Sequence, residues 1–177
     1  MFFLGPRWNL YIVCGLSESF IRRTIKAWSV SLIKMNNVHS LTSSEYSGFV
    51  TDRQFWELFT EEKLLIFQSD CILAGSNIGE FIQYDFIGAP SGRLGDQFMM
   101  NGGLSLRTRG KMIECITRAA MFGDQMWDVY FLQALRQTAC RFSVESLYKD
   151  HPVGVPGTDK YYRSVEVAEK IIRAIRY

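Results

Sequence analysis

The chain has 177 residues, the length of one domain or of one domain with a tail. Hydrophobic residues make up 47% and aromatics 14%, enough core material to exclude an intrinsically disordered chain. A formal net charge of +2 argues against a dedicated nucleic-acid binder, which carries a marked basic excess.

The first residues, Met1-Phe2-Phe3-Leu4, are apolar but run into Gly5-Pro6-Arg7, so they read as neither a signal peptide nor a membrane span. Trp8 to Val13 is a continuous apolar run, the pattern of a buried parallel strand. Ser17 is placed to cap a helix with Phe20, Ile21, Ile25 and Trp28 on one face, and Val38 to Leu41 reads as a short strand. Thr51-x-x-Gln54 has capping-box spacing and predicts a helix carrying Phe55, Trp56, Leu58 and Phe59. Leu64 to Phe67 is expected to be the central strand. Asn77-x-x-Glu80 predicts a short helix through Tyr84, and Phe86 to Pro90 a brief strand that Pro90 ends. Ser91 to Gln97 is polar and glycine-rich, hence a loop. Leu104 to Arg107 reads as a strand. Thr108 is expected to cap a helix with Met112, Ile113 and Ile116, and Asp124 the next, with Trp127, Tyr130, Phe131 and Leu135 inward. Phe142 to Val144 reads as a strand and Pro152 to Gly157 as a loop. Ser164 is expected to cap an amphipathic helix bearing Ala168, Ile171, Ile172 and Ile175. Strands alternating with helices imply an α/β sandwich.

The cysteines, Cys14, Cys71, Cys115 and Cys140, have no C-x-x-C spacing, which argues against a zinc ribbon. Free thiols in a reducing compartment, and so a cytoplasmic location, are the expectation. No Walker loop, G-x-S-x-G, H-E-x-x-H or G-x-G-x-x-G occurs, which removes several enzyme classes.

Asp70, at the end of an apolar strand, is the sharpest chemical candidate. One carboxylate with diphosphate oxygens and waters is enough to hold Mg²⁺ or Mn²⁺; equally, a strand-end aspartate caps a loop through neighbouring N–H groups. Asn101-Gly102-Gly103 would let main chain approach a sugar closely, or is simply a tight turn before a strand. Asp128 shares a helical row with Asp124; it points into a cleft, where it would orient or deprotonate a hydroxyl, or into solvent. His39 reads as structural, and His151 adjoins the proline-rich loop. Arg107, Arg109 and Lys111 would meet phosphate or solvate a helix start.

The order Phe55-Trp56, Lys63 to Asp70, Tyr84 to Pro90, Asn101 to Arg107 and Asp128-Val129-Tyr130-Phe131 resembles a little-characterised family of GT-A-like glycosyltransferase domains. The stretches Trp8 to Gly15 and Pro152 to Val155 extend the likeness over roughly residues 1–160. The resemblance implies a GT-A-like α/β/α sandwich with a mixed, mostly parallel sheet, shortened at its N-terminus, over residues 1–160, with residues 161–177 a C-terminal helix packed on it. It implies a transferase that moves a sugar from a nucleotide-sugar donor to a glycan, protein or small-molecule hydroxyl. Gln68-Ser69-Asp70 then stands at the Asp-x-Asp position, with Asp70 holding Mn²⁺ or Mg²⁺ and Gln68 and Ser69 beside the donor. Asn101, Gly102 and Gly103 would border the substrate, and Asp128 would be the catalytic acid near the acceptor. Three positions depart from the family: Gln68 replaces an acid, Trp127 stands where Glu is usual, and Pro156-Gly157 replaces a His-Lys pair. With the family's first strand not seen, these departures motivate an alternative: a sugar- or nucleotide-binding descendant without turnover.

Overall fold

A computed structural model describes residues 8–15, 18–24, 30–35, 41–68, 71–73, 77–94, 97–118, 126–138, 142–143 and 154–155. Strand β1 (Leu10–Cys14) pairs in parallel with β2 (Val30–Lys34), in register from Leu10↔Val30 to Cys14↔Lys34. Parallel neighbours need a crossover, and helix α1 (Glu18–Thr24) lies within it. The proposed Ser17 cap, and most of the strand expected at Val38–Leu41, lie outside the described residues.

Helix α2 (Ser43–Val50) had no counterpart in the sequence reading. Its signal is Thr42-x-x-Glu45: the Thr42 hydroxyl accepts from the Glu45 N–H, and the Glu45 carboxylate accepts from the Thr42 N–H at 2.7 Å. Two otherwise orphaned donors are satisfied reciprocally. Thr51, expected to open the next helix, instead closes α2. Helix α3 (Arg53–Glu57) starts one residue later, where Asp52 accepts from the Gln54 N–H at 2.8 Å.

Strands β3 (Lys63–Phe67), β5 (Phe86–Leu94), β6 (Gln97–Thr108) and β7 (Phe142–Ser143) form one sheet in the order β3-β6-β5-β7. Among the described residues β3 therefore ends this sheet rather than centring it. Both ladders to β6 are antiparallel, and β5 with β7 is parallel. The sheets are mixed, but the expectation of a mostly parallel sheet does not hold for the described residues. The cause is local: Leu94 pairs with Gln97, so β5 and β6 are consecutive arms of a hairpin and must run in opposite directions. The same hairpin replaces the loop expected from Ser91. Pro90 does not end β5. It lies beside a register shift between Pro90 and Gly92, and β7 pairs with β5 at Phe86 and Ile87; proline is tolerated at such irregular positions because no ladder donor is required there. A further pair, β4 (Ile72–Leu73) with β8 (Gly154–Val155), places two residues of the expected Pro152–Gly157 loop in an antiparallel ladder. Asn77–Phe81 is a 3-10 helix, shorter than expected.

Helices α4 (Arg109–Arg118) and α5 (Trp127–Arg136) follow β6. Trp127, Tyr130, Phe131 and Leu135 of α5 are buried as expected, together with Met112 and Cys115 of α4. Helix α5 begins after Met126; Asp124 lies outside the described residues. One layer of core joins these helices to Val50, Phe55, Trp56 and Phe86. The Trp56 indole N–H donates to the Val50 carbonyl at 2.9 Å, so its burial leaves no donor unpaired. A smaller layer, Ile78, Ile87 and Leu106 with Trp8 and Leu65, forms a second cluster. The α/β class thus stands. Among the described residues no helix is long and apolar enough to cross a membrane. Cys14, Cys71 and Cys115 form no disulfide with one another. His39, His151, Cys140 and the expected C-terminal helix over 161–177 lie outside the described residues.

Candidate functional site

The site is built on an irregularity in β6. Between the pairs Gly88↔Ser105 and Ala89↔Asn101, β5 advances one residue while β6 advances four. The excess chain, Gly102 to Leu104, bulges out of the β5 ladder, the way sheets re-aim side chains beside functional sites. Local hydrogen bonds hold the bulge. The Gly103 N–H donates to Asn101 Oδ1 at 2.7 Å, and the Ser105 hydroxyl donates to the Gly102 carbonyl at 2.9 Å. The Gly103 carbonyl accepts from the Gln68 N–H at 2.8 Å and from the Cys71 thiol at 3.1 Å.

Glycine is needed here for space. A Cβ on Gly103 would stand 2.6 Å from Gln68 Oε1 and 2.9 Å from Asn101 Oδ1; one on Gly102 would stand 2.6 Å from Trp127 Cζ2 and 3.0 Å from Asp128 Cβ. Two amide oxygens and one carboxylate-bearing residue thus surround the two glycines. Gln68, Asn101, Gly102, Gly103 and Asp128, drawn from three separate stretches of sequence, are brought together. Asp128 is half-buried in the first turn of α5, and its Oδ1 accepts from the Val129 N–H at 2.9 Å. Ser69 and Asp70 lie outside the described residues, between Gln68 and Cys71.

Below this layer lies Arg107, which is fully buried. It fits neither of the two expectations for it, contact with phosphate or solvation of a helix start. Strand alternation turns its side chain into the core, where its guanidinium carbon lies 4.2 Å from the ring centroids of both Phe86 and Trp127 and 5.1 Å from that of Phe131. Nε donates to Ser105 Oγ at 2.9 Å, while Nη2 has no hydrogen-bond partner among the described residues. Burial pushes its pKa down to about 9, with Tyr46, Asp128 and Cys115 acting the other way; it stays cationic at neutral pH. Arg109 and Lys111 form surface ion pairs with Glu62 and Glu114.

Cys71 and Ser105 were not singled out as site residues from sequence, whereas Arg107 was considered for phosphate and Trp127 only as a departure from the resembled family. Trp127 carried a signal, a large aromatic at an inward position of α5. Among the described residues no group of three or more His, Cys, Asp or Glu side chains is placed to hold a metal ion; Asp70, the expected ligand, lies outside them.

A family model matches residues 28–155, well over half of the chain; its description is "Protein of unknown function (DUF5672)". The chain belongs to this family. No curated protein matches it. The part shared with the family runs from before β2 through β8, so Gln68, the Asn101–Gly103 bulge, Arg107 and Asp128 all fall inside it.

Proposed function

We propose that the chain is a metal-assisted glycosyltransferase that moves a sugar from a nucleotide-diphosphate donor to an acceptor hydroxyl of a glycan, protein or small molecule. The observation that carries this reading is the convergence of Gln68, Asn101, Gly102, Gly103 and Asp128 on one bulge at the end of β3. The acceptor oxygen attacks the anomeric carbon, the bond from that carbon to the diphosphate oxygen breaks, and the diphosphate leaves with the electron pair. Asp128 takes the acceptor proton. Gln68, Ser69 and Asn101 orient donor hydroxyls, and the two glycines let the sugar lie against main chain. Asp70 would hold Mn²⁺ or Mg²⁺, whose chemistry there would be to neutralise charge on the departing diphosphate.

Thermal shift with uridine or guanosine diphosphate plus Mn²⁺, followed by a screen of nucleotide-sugars for nucleotide release, tests this. A ligand at 100 times its Kd stabilises by about 2.7 kcal/mol. Asp70→Asn is expected to abolish Mn²⁺-stimulated donor hydrolysis, and Asp128→Asn to lower transfer while leaving diphosphate stabilisation intact. Hydrolysis that survives Asp70→Asn refutes the metal assignment. One observation favours a second reading, a binding domain without turnover: Trp127, standing where the resembled family has an acid, is buried against Arg107. That reading keeps the diphosphate-dependent shift and releases no nucleotide.

A further inference from the structure

A fully buried guanidinium that is not held by a carboxylate is an expensive way to fill a core. An apolar side chain of similar volume commonly stabilises as well or better. Arg107 has a hydroxyl on Nε, a thioether 3.8 Å from Nη1, aromatic rings on its faces, and nothing on Nη2 among the described residues. Its two sets of contacts lead to the two halves of the candidate site. Through Ser105 it reaches the Gly102 carbonyl, so one chain of hydrogen bonds runs from the cation to the bulge. Through its planar face it stacks on Trp127, whose indole edge sets the space above Gly102 and whose neighbour is Asp128.

We infer that Arg107 is the positioning residue of this site: it fixes the Asn101–Gly103 bulge through Ser105 and the Trp127–Asp128 turn through stacking, so that the two face each other at a set separation. A planar cation is suited to both tasks, since only a guanidinium donates in its plane while stacking above it. The structural part of this inference is independent of any reaction; its consequence for turnover rests on the glycosyl-transfer reading.

Arg107→Met fills the same space without donor or charge. Ser105→Ala leaves the cation in place and cuts only the chain of bonds to Gly102. Amide hydrogen exchange is to be read at Gly103 and Gln68, whose N–H groups bond within the bulge. Both variants are expected to exchange about tenfold faster at these two amides, the factor that a hydrogen bond of ordinary strength is worth, while the β3–β6 ladder from Lys63 to Ile66 keeps its protection. The melting temperature of Arg107→Met is expected to stay level or rise. With a nucleotide-sugar found in the screen, kcat should fall at least about tenfold on the same grounds with KM little changed, and Arg107→Lys, which retains a donor for Ser105, should recover part of it. Unaltered exchange at Gly103 and Gln68 in both variants overturns the inference. So does a uniform rise over every core amide, which marks a plain packing residue. Should no nucleotide-sugar turn over, the exchange result still decides the positioning role.

Discussion

Replacing Gly102 with alanine tests the geometry on which the site depends. The added methyl would meet the Trp127 indole at 2.6 and 2.8 Å and Asp128 Cβ at 3.0 Å. A fused ring gives way only as a whole, and this one is in contact with the Arg107 guanidinium and with the Tyr46 ring, nearly perpendicular to it with centroids 5.6 Å apart. Overpacking of this kind costs about 1–3 kcal/mol, which for a domain of this size is a fall of about 2–4 °C in Tm per kcal/mol. Gly103→Ala makes the comparison. Its methyl meets, at 2.6 Å, the far end of the Gln68 side chain, which swings aside cheaply but leaves its place in the site, and, at 2.9 Å, Asn101 Oδ1, which must shift while bonded to the Gly103 N–H. Gly48→Ala is the control: nothing lies within 4 Å in helix α2, and a gain of about 0.5–1 kcal/mol is expected there. Urea unfolding of the three variants gives the ranking, with Gly102→Ala lowest, Gly103→Ala between it and wild type, and Gly48→Ala highest. If Gly102→Ala unfolds at the wild-type urea concentration with an unchanged slope, the close approach of bulge and indole is wrong.

Thr42→Ala removes the reciprocal cap of α2 and is expected to cost about 1 kcal/mol, read as a loss of about 2–4 °C in Tm; no loss would mean that α2 is held by packing alone. Acid should also destabilise the chain. Glu61 is held below the usual carboxylate range chiefly by the Asn9 side-chain amide, Glu45 by the Thr42 N–H, Glu18 by Arg22 and Glu114 by Lys111. Each folded pKa lies under its unfolded value, so the unfolded chain takes up protons first and the stabilisation is lost as pH falls through the folded values. Tm is expected to be level near neutrality and to drop below about pH 4.5; a rise on acidification refutes the assignment. On the alkaline side burial pushes the Tyr130 hydroxyl up to about 12. Unfolded tyrosine therefore ionises first, and the stabilisation contributed by Tyr130 should decline as pH climbs past about 10, whereas Arg107, its pKa lowered by burial, acts in the opposite sense over that range; Tyr130→Phe, which removes only the first contribution, separates the two.

Several elements could be read from local pattern because local chemistry decides them. The apolar run before Gln68 became β3, the aromatic stripe Trp127, Tyr130, Phe131 and Leu135 became the buried face of α5, and the Asn-Gly-Gly turn landed beside Gln68 and Asp128. What escaped has physical reasons. Helix α2 has little amphipathic contrast, and its start rests on a capping box that competed with a second one of similar spacing nine residues on. The β5–β6 hairpin runs through a proline and a glycine-rich stretch that normally end strands; register shifts next to them absorb the misfit. Arg107 read as an accessible cation, meeting phosphate or solvating a helix start, because charge there is usually solvated, and only the aromatic box formed by distant residues reveals otherwise. Asp70, the residue on which the metal assignment rests, lies outside the described residues.

The Trp127 indole is shared property: its face belongs to the core and its edge to the candidate site. The wall beside Gly102 therefore cannot soften without the core. Warming should leave the packing of the indole on Gly102 intact up to the cooperative transition and then abolish it in a single event, so the near-ultraviolet signal of Trp127 and global melting would trace one curve.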